Sequence, residues 1–155
     1  MKTVISLDII PIKKEGFHCF INITVNKEFL ARMVIDTGAS QTVFDCRFIE
    51  KLGLSDELEL WEDKASGLGT NSMEGYRLII NQLKLGEIIC DKIRIGVLDL
   101  TNINTGYDLI GLEPLDGAIG GDILNKYQAI IDYGEKTLTL KTPILKSRNS
   151  NTGTK

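Results

Sequence analysis

The stretch Met33-Val34-Ile35-Asp36-Thr37-Gly38-Ala39-Ser40-Gln41-Thr42-Val43-Phe44 sets an acid directly after an apolar run. Met33-Val34-Ile35 reads as the end of a strand buried on both faces. Ionised carboxylates are rarely found in such places without a partner, so Asp36 there has an energetic cost. Gly38 lets the backbone turn sharply and come close to another group. An ordinary strand-to-turn junction also uses Asp-x-Gly. The context separates this one: apolar residues before it, small residues after it, and β-rich sequence around it.

The period of the surrounding chain is two rather than 3.6. Thr3 to Ile12 reads as one strand ending in the turn signal Pro11-Ile12-Lys13-Lys14-Glu15-Gly16. His18 to Val25 alternates in strand fashion. Asn26-Lys27-Glu28 is a tight turn, and Phe29 to Ile35 is the next strand. Asp45 is expected to N-cap a short helix that stops at Gly53. Glu59 to Ser66 and Tyr76 to Leu83 predict a long hairpin with a Gly-rich tip. Ile88 to Leu98 is a further strand. Residues 99–117 read as a long irregular loop, which is either functional or an insertion. Asp122 to Lys126 starts a short helix, and a hairpin around Tyr133-Gly134-Glu135 follows. The chain thus divides into a domain over residues 1–146 and a polar tail, 147–155, unable to bury apolar surface.

Composition excludes several classes. With 155 residues the chain can bury a core without staples. A net charge of −3 argues against a nucleic-acid surface. No apolar run approaches the roughly 20 residues of a membrane span, and Asp8 interrupts the N-terminal apolar run. Cys19, Cys46 and Cys90 form no C-x-x-C pair. A Cys/His zinc site would need all three to converge on His18, the sole histidine. Neither a metal nor a cofactor is expected. Unpaired thiols and the lack of a leader suggest a cytoplasmic setting.

Three features resemble the retropepsin-like aspartic peptidases, the clan that includes retroviral proteases, and in particular its bacterial members. Val34-Ile35-Asp36-Thr37-Gly38-Ala39-Ser40 matches the family's catalytic motif. Ala118-Ile119-Gly120-Gly121-Asp122-Ile123-Leu124 is similar to its second signature, in which Gly120, Gly121 and Asp122 are structural. The glycine-bearing hairpin tip, Gly67 to Gly75, stands where the family places its flap. Order and spacing agree across about residues 18 to 141. The resemblance implies a mainly β subunit, closed like a barrel, with a flap hairpin and one or two short helices.

It also implies endopeptidase chemistry. Two close carboxylates share a proton, and together they activate water and polarise a peptide carbonyl. Asp36 would be the catalytic acid, Thr37 would brace two active-site loops, and Gly38 would admit the substrate backbone. Ala39, where some two-lobed relatives have Ser, would shift the working pH toward neutral. Ala39, Ser40 and the flap residues Gly67, Leu68, Gly69 and Thr70 would contact substrate. Ser40 replaces an Asp of many retroviral members. The chain has one Asp-Thr-Gly. Asp132, in Ile131-Asp132-Tyr133-Gly134, reads as a β-turn residue. Asp122 reads as a helix-start residue or the partner of a nearby backbone amide. The second carboxylate is therefore expected from a second copy, in a two-fold homodimer acting on peptide or protein, with neither nucleic acid nor membrane as partner. The alternative is a non-catalytic dimerisation or peptide-binding module of the same fold.

Overall fold

The computed structural model describes residues 1–14, 16–61 and 75–144. In chain order the strands begin with β1 (Lys2–Ser6), β2 (Asp8–Ile12), β3 (Gly16–Val25), β4 (Phe29–Ile35) and β5 (Val43–Asp45). Helix α1 (Cys46–Lys51) and a single 3-10 turn (Ser55–Glu57) lead to β6 (Glu59–Leu60), β7 (Tyr76–Leu85) and β8 (Ile88–Leu98). Helix α2 (Thr101–Leu109), β9 (Gly117–Ile119), α3 (Gly121–Lys126), β10 (Ile130–Asp132) and β11 (Thr137–Lys141) complete the series.

The larger sheet runs β2-β3-β4-β9-β5-β8-β7-β6. A further antiparallel pairing of β3 with β7, through Thr24↔Lys84 and Val25↔Leu83, joins its ends. Strands β3, β4, β9, β5, β8 and β7 therefore close into a six-stranded barrel. Alternation drives the closure, since one side of each strand turns inward. Ile21, Ile23, Val25, Ala31, Met33, Phe44, Ile80, Ile95, Val97 and Ile119 are all buried in that interior. Removing this apolar surface from water is the main stabilising term.

Two features depart from the sequence expectation. Thr3 to Ile12 is two strands rather than one. The chain bends at buried Leu7, whose amide donates to the Lys136 carbonyl at 2.9 Å. Strand β1 leaves the barrel to pair with β11, which also pairs with β10 in a small three-stranded sheet. The second departure is α2, a nine-residue helix inside the segment read as a loop. It makes three α-helices among the described residues instead of the expected one or two. A second small core, made of Ile12, Phe20, Leu100, Tyr107 and Leu115, packs α2 onto the barrel.

The order β4-β9-β5 positions the site. Strand β9 lies between two strands adjacent in sequence, parallel to β4 and antiparallel to β5. The connection from β4 to β5, residues 36–42, must therefore pass around the end of β9. Gly117 on β9 permits this insertion. A Cβ there would collide with the Val43 carbonyl and with the Met33 side chain.

Candidate active site

Asp36 is the first residue beyond β4. Its amide donates to the Ile119 carbonyl at 2.9 Å, which continues the β4–β9 ladder by one bond. One carboxylate oxygen accepts the Gly38 amide at 3.1 Å, and the Ala39 amide donates to the Asp36 carbonyl at 3.2 Å. The turn thus fixes the acid while leaving it exposed to solvent. Thr37 and Gly38 are exposed too. The Thr37 hydroxyl makes no hydrogen bond among the described residues. Among the described residues, nothing sterically requires glycine at position 38. A Cβ there would meet the Asp36 Oδ1 at 3.5 Å, an ordinary contact, and its φ is not among the positive ones.

The second signature lies directly beneath this turn. The Gly121 amide donates to the Ala39 carbonyl at 2.7 Å. Gly120 is packed against backbone, since an added Cβ would stand 2.6 Å from the Gln41 carbonyl carbon. The Asp122 carboxylate accepts the Thr42 amide at 3.0 Å and the Thr42 hydroxyl at 2.8 Å. That hydroxyl in turn accepts the Gly120 amide at 3.1 Å. Asp122 is therefore the partner of a nearby backbone amide, one of its two expected roles, and a structural residue. Thr42 was not singled out in the sequence. Its burial beside a small-residue turn is a contact over 80 residues, with no local signal.

Asp36 lines a cavity of about 790 Å³. The walls are mostly apolar: Val34 and Ile35 from β4, Ile12 and Phe17 from the β2–β3 hairpin, and Ile103, Tyr107 and Ile110 from α2 and its end. Ala39 is also in the lining, while Ser40 is exposed and outside it. The expected flap residues Gly67, Leu68, Gly69 and Thr70 lie outside the described residues. Asp132 does not line the cavity. Its carboxylate accepts the Glu135 amide at 2.9 Å, as a turn residue does.

His18, a strand residue as expected, also lines the cavity, and its Nδ1 is 2.8 Å from the Tyr107 hydroxyl. Asp45 takes the expected N-cap position of α1, but its side chain accepts none of the backbone amides of the first turn. The buried carboxylate instead accepts the Leu100 amide at 3.1 Å and the Arg47 Nε at 3.0 Å. Asp45, Cys46 and Asp99 cluster, but Cys19, Cys90 and His18 do not join them. Asp99 is already engaged by the Thr101 amide and hydroxyl, which hold its carboxyl below the usual range. Burial pushes the Cys46 and Cys90 thiols up, which disfavours their thiolates.

The sequence pattern described as aspartyl protease matches residues 21–123, from β3 into α3. The chain belongs to that family. No curated protein matches it significantly. Among solved structures, a retropepsin-like aspartic protease from Rickettsia conorii is similar, with a TM-score of 0.59 and 21% identity over 92% of this chain and 91% of that one. The retroviral protease-like domain of Ddi1 from Leishmania major gives a TM-score of 0.53 and 20% identity, over 84% and 95% of the two chains. The fold is thus the retropepsin-like one, and the stretch matched to the aspartyl protease family includes the turn that carries Asp36. Among the described residues, no helix is long and apolar enough to cross a membrane.

Proposed function

We propose that this protein is an aspartic endopeptidase working as a homodimer, with Asp36 of each copy supplying one carboxylate of a shared pair. The observation that carries this reading is the state of the Asp36 turn. It is held firmly from below by Gly120, Gly121 and Asp122, yet above it, among the described residues, an exposed Thr37 hydroxyl has no partner and nothing crowds Gly38. Both features make sense when a second copy and a peptide backbone approach that surface. A two-fold axis beside the turn would bring two Thr37 hydroxyls and two Asp36 carboxylates together.

Two carboxylates at such close range cannot both ionise comfortably, so they hold one proton between them. The ionised member takes a proton from water as the water oxygen attacks the peptide carbonyl carbon. The protonated member donates to the carbonyl oxygen. The tetrahedral species then collapses with cleavage of the C–N bond: the amine leaves with a proton from one carboxyl, and a hydroxyl of the tetrahedral species returns its proton to the other carboxylate, which restores the singly protonated pair. The cavity beside Asp36 would receive a substrate side chain, and the 67–75 segment would serve as the flap over it.

The test compares wild type with Asp36→Asn on a diverse peptide library from pH 4 to 8, while mass in solution is measured. Cleavage by wild type alone, from a dimer, is the expected result. Equal cleavage by both proteins overturns the catalytic role of Asp36. An active monomer overturns the shared pair. Peptide binding without cleavage at any pH establishes the binding-module alternative.

A further inference from the structure

We propose that helix α2 is the specificity wall of the cleft, and that its Ile103–Tyr107–Ile110 stripe sets the size of the substrate side chain held next to the scissile bond. This rests on the endopeptidase reading of Asp36 and names what that site selects. Ile103, Tyr107 and Ile110 recur at steps of four and three, so they share one helical face, and all three line the same cavity as Asp36. Tyr107 is buried, while Ile103 is half-exposed and still free to meet a ligand.

The helix is built as a fixed wall. The Tyr107 hydroxyl is 2.8 Å from the Nδ1 of His18 on the opposite β3 wall. The Tyr107 ring packs edge-on against Phe20 at 5.8 Å. The Asn104 side-chain amide makes two bonds to the Leu115 backbone, at 3.0 and 2.7 Å. Asp99 holds the Thr101 amide at the first turn, and Asp45 holds the Leu100 amide just before it. A wall tied at its start, middle and far strand cannot swing aside for a larger group. It therefore acts as a ruler, with His18 as a positioning residue that works through Tyr107. The cavity lining carries Asn102 on α2 and Lys13, His18 and Asp36 on the other walls, and the rest of it is mostly aliphatic and aromatic. The favoured side chain is then uncharged and apolar, with an upper size limit.

The experiment measures kcat and KM on one peptide series with Ala, Leu, Phe or Trp beside the scissile bond. In parallel it measures binding of the same series made uncleavable, with a reduced CH2–NH bond in place of the scissile amide. The proteins are wild type, Ile103→Ala, Ile103→Trp, Tyr107→Phe and His18→Gln. Ile103→Ala is expected to relax the size limit and Ile103→Trp to tighten it. Each would change the ratio of KM values for the largest and smallest side chains by roughly tenfold or more. Tyr107→Phe and His18→Gln should flatten the size preference, with a larger effect on KM than on kcat, whereas a merely structural role would lower the melting temperature and leave the preference alone. An identical size profile in all five proteins overturns the wall. Should wild type prove no more active than Asp36→Asn, the endopeptidase reading fails on its own. The affinities of the uncleavable peptides then decide the wall: affinities that ignore residue 103, or no binding at all, overturn it.

Discussion

Thr42 and Asp122 are joined by two kinds of hydrogen bond, one from the Thr42 amide and one from its hydroxyl, and they lock the Asp36 turn to the start of α3. The same hydroxyl accepts the Gly120 amide, so a single buried oxygen serves both partners. Thr42→Val keeps the shape and removes that oxygen, which leaves a buried Gly120 N–H unpaired. The expected cost is about 1–3 kcal/mol in urea unfolding. Thr42→Ser should recover most of it, because the hydroxyl is what matters. Equal stability of the Val and Ser variants would dismiss the lock.

Gly38 separates folding from function. Among the described residues, an alanine there meets only Asp36 Oδ1, at an ordinary 3.5 Å. Gly38→Ala should therefore match wild type in thermal stability within about 0.5 kcal/mol. Peptide cleavage should fall steeply, since the new methyl stands where partner and substrate backbones must approach. Full activity in the alanine variant would show that nothing comes close to this turn.

The two signature glycines should differ. Gly120→Ala forces backbone movement, with the new Cβ only 2.6 Å from the Gln41 carbonyl carbon. Gly121→Ala needs a shift of a few tenths of an ångström, since its Cβ would lie 3.3 Å from the Ala39 carbonyl oxygen. Denaturation midpoints should show the first destabilised by about 1–3 kcal/mol and the second by clearly less. The reverse order would mean that the turn is looser than its packing indicates.

The Asp36 turn and the Gly120-Gly121-Asp122 start of α3 were legible because both are local. An acid after an apolar strand and a glycine pair before a helix each carry their meaning within a few residues. What escaped was set at long range. Helix α2 is spelled Thr-Asn-Ile-Asn-Thr-Gly-Tyr-Asp-Leu, a run of poor helix formers, so propensity spoke for a loop. It holds because Asn104 bonds the Leu115 backbone and Tyr107 is buried under it. The four-and-three spacing of Ile103, Tyr107 and Ile110 was the available signal. The break at Leu7 was hidden because β1 and β2 both carry β-branched apolar residues, Val4 and Ile5 in one and Ile9, Ile10 and Ile12 in the other, and only the partners differ. Asp45 looked like a cap because it precedes a helix, yet Leu100, 55 residues on, claims its carboxylate.

That claim is testable. Asp45 is buried and accepts the Leu100 amide at the entry to α2. Asp45→Ala strands this N–H and frees Arg47 from its ion pair. The loss should be about 1–3 kcal/mol in unfolding. Hydrogen exchange should rise at residues 100–104 rather than in α1, whose first-turn amides the side chain does not accept. Faster exchange confined to α1 would restore the capping role.

Asp116 links stability to pH. Burial raises its carboxyl above the ordinary value of 3.8, although the Arg32 amide, which it accepts at 2.8 Å, opposes the rise. A raised folded value means that the native state holds this proton more tightly than the unfolded chain does. The contribution of Asp116 is then fully present below about pH 4 and is lost as pH climbs through the raised value. Asp116→Asn keeps an oxygen for the Arg32 amide and never ionises. It should be more stable than wild type at pH 7, and the two curves should converge as pH falls below 4. Asp99 behaves oppositely, because Thr101 lowers its value: its contribution is present above about pH 4 and fades in acid. Thr101→Val should therefore weaken the protein at pH 7 and leave it unchanged near pH 2. Chemical denaturation of both variants across pH 2 to 8 measures the two slopes. A stability gap between Asp116→Asn and wild type that is flat with pH would show that Asp116 titrates like an exposed carboxylate.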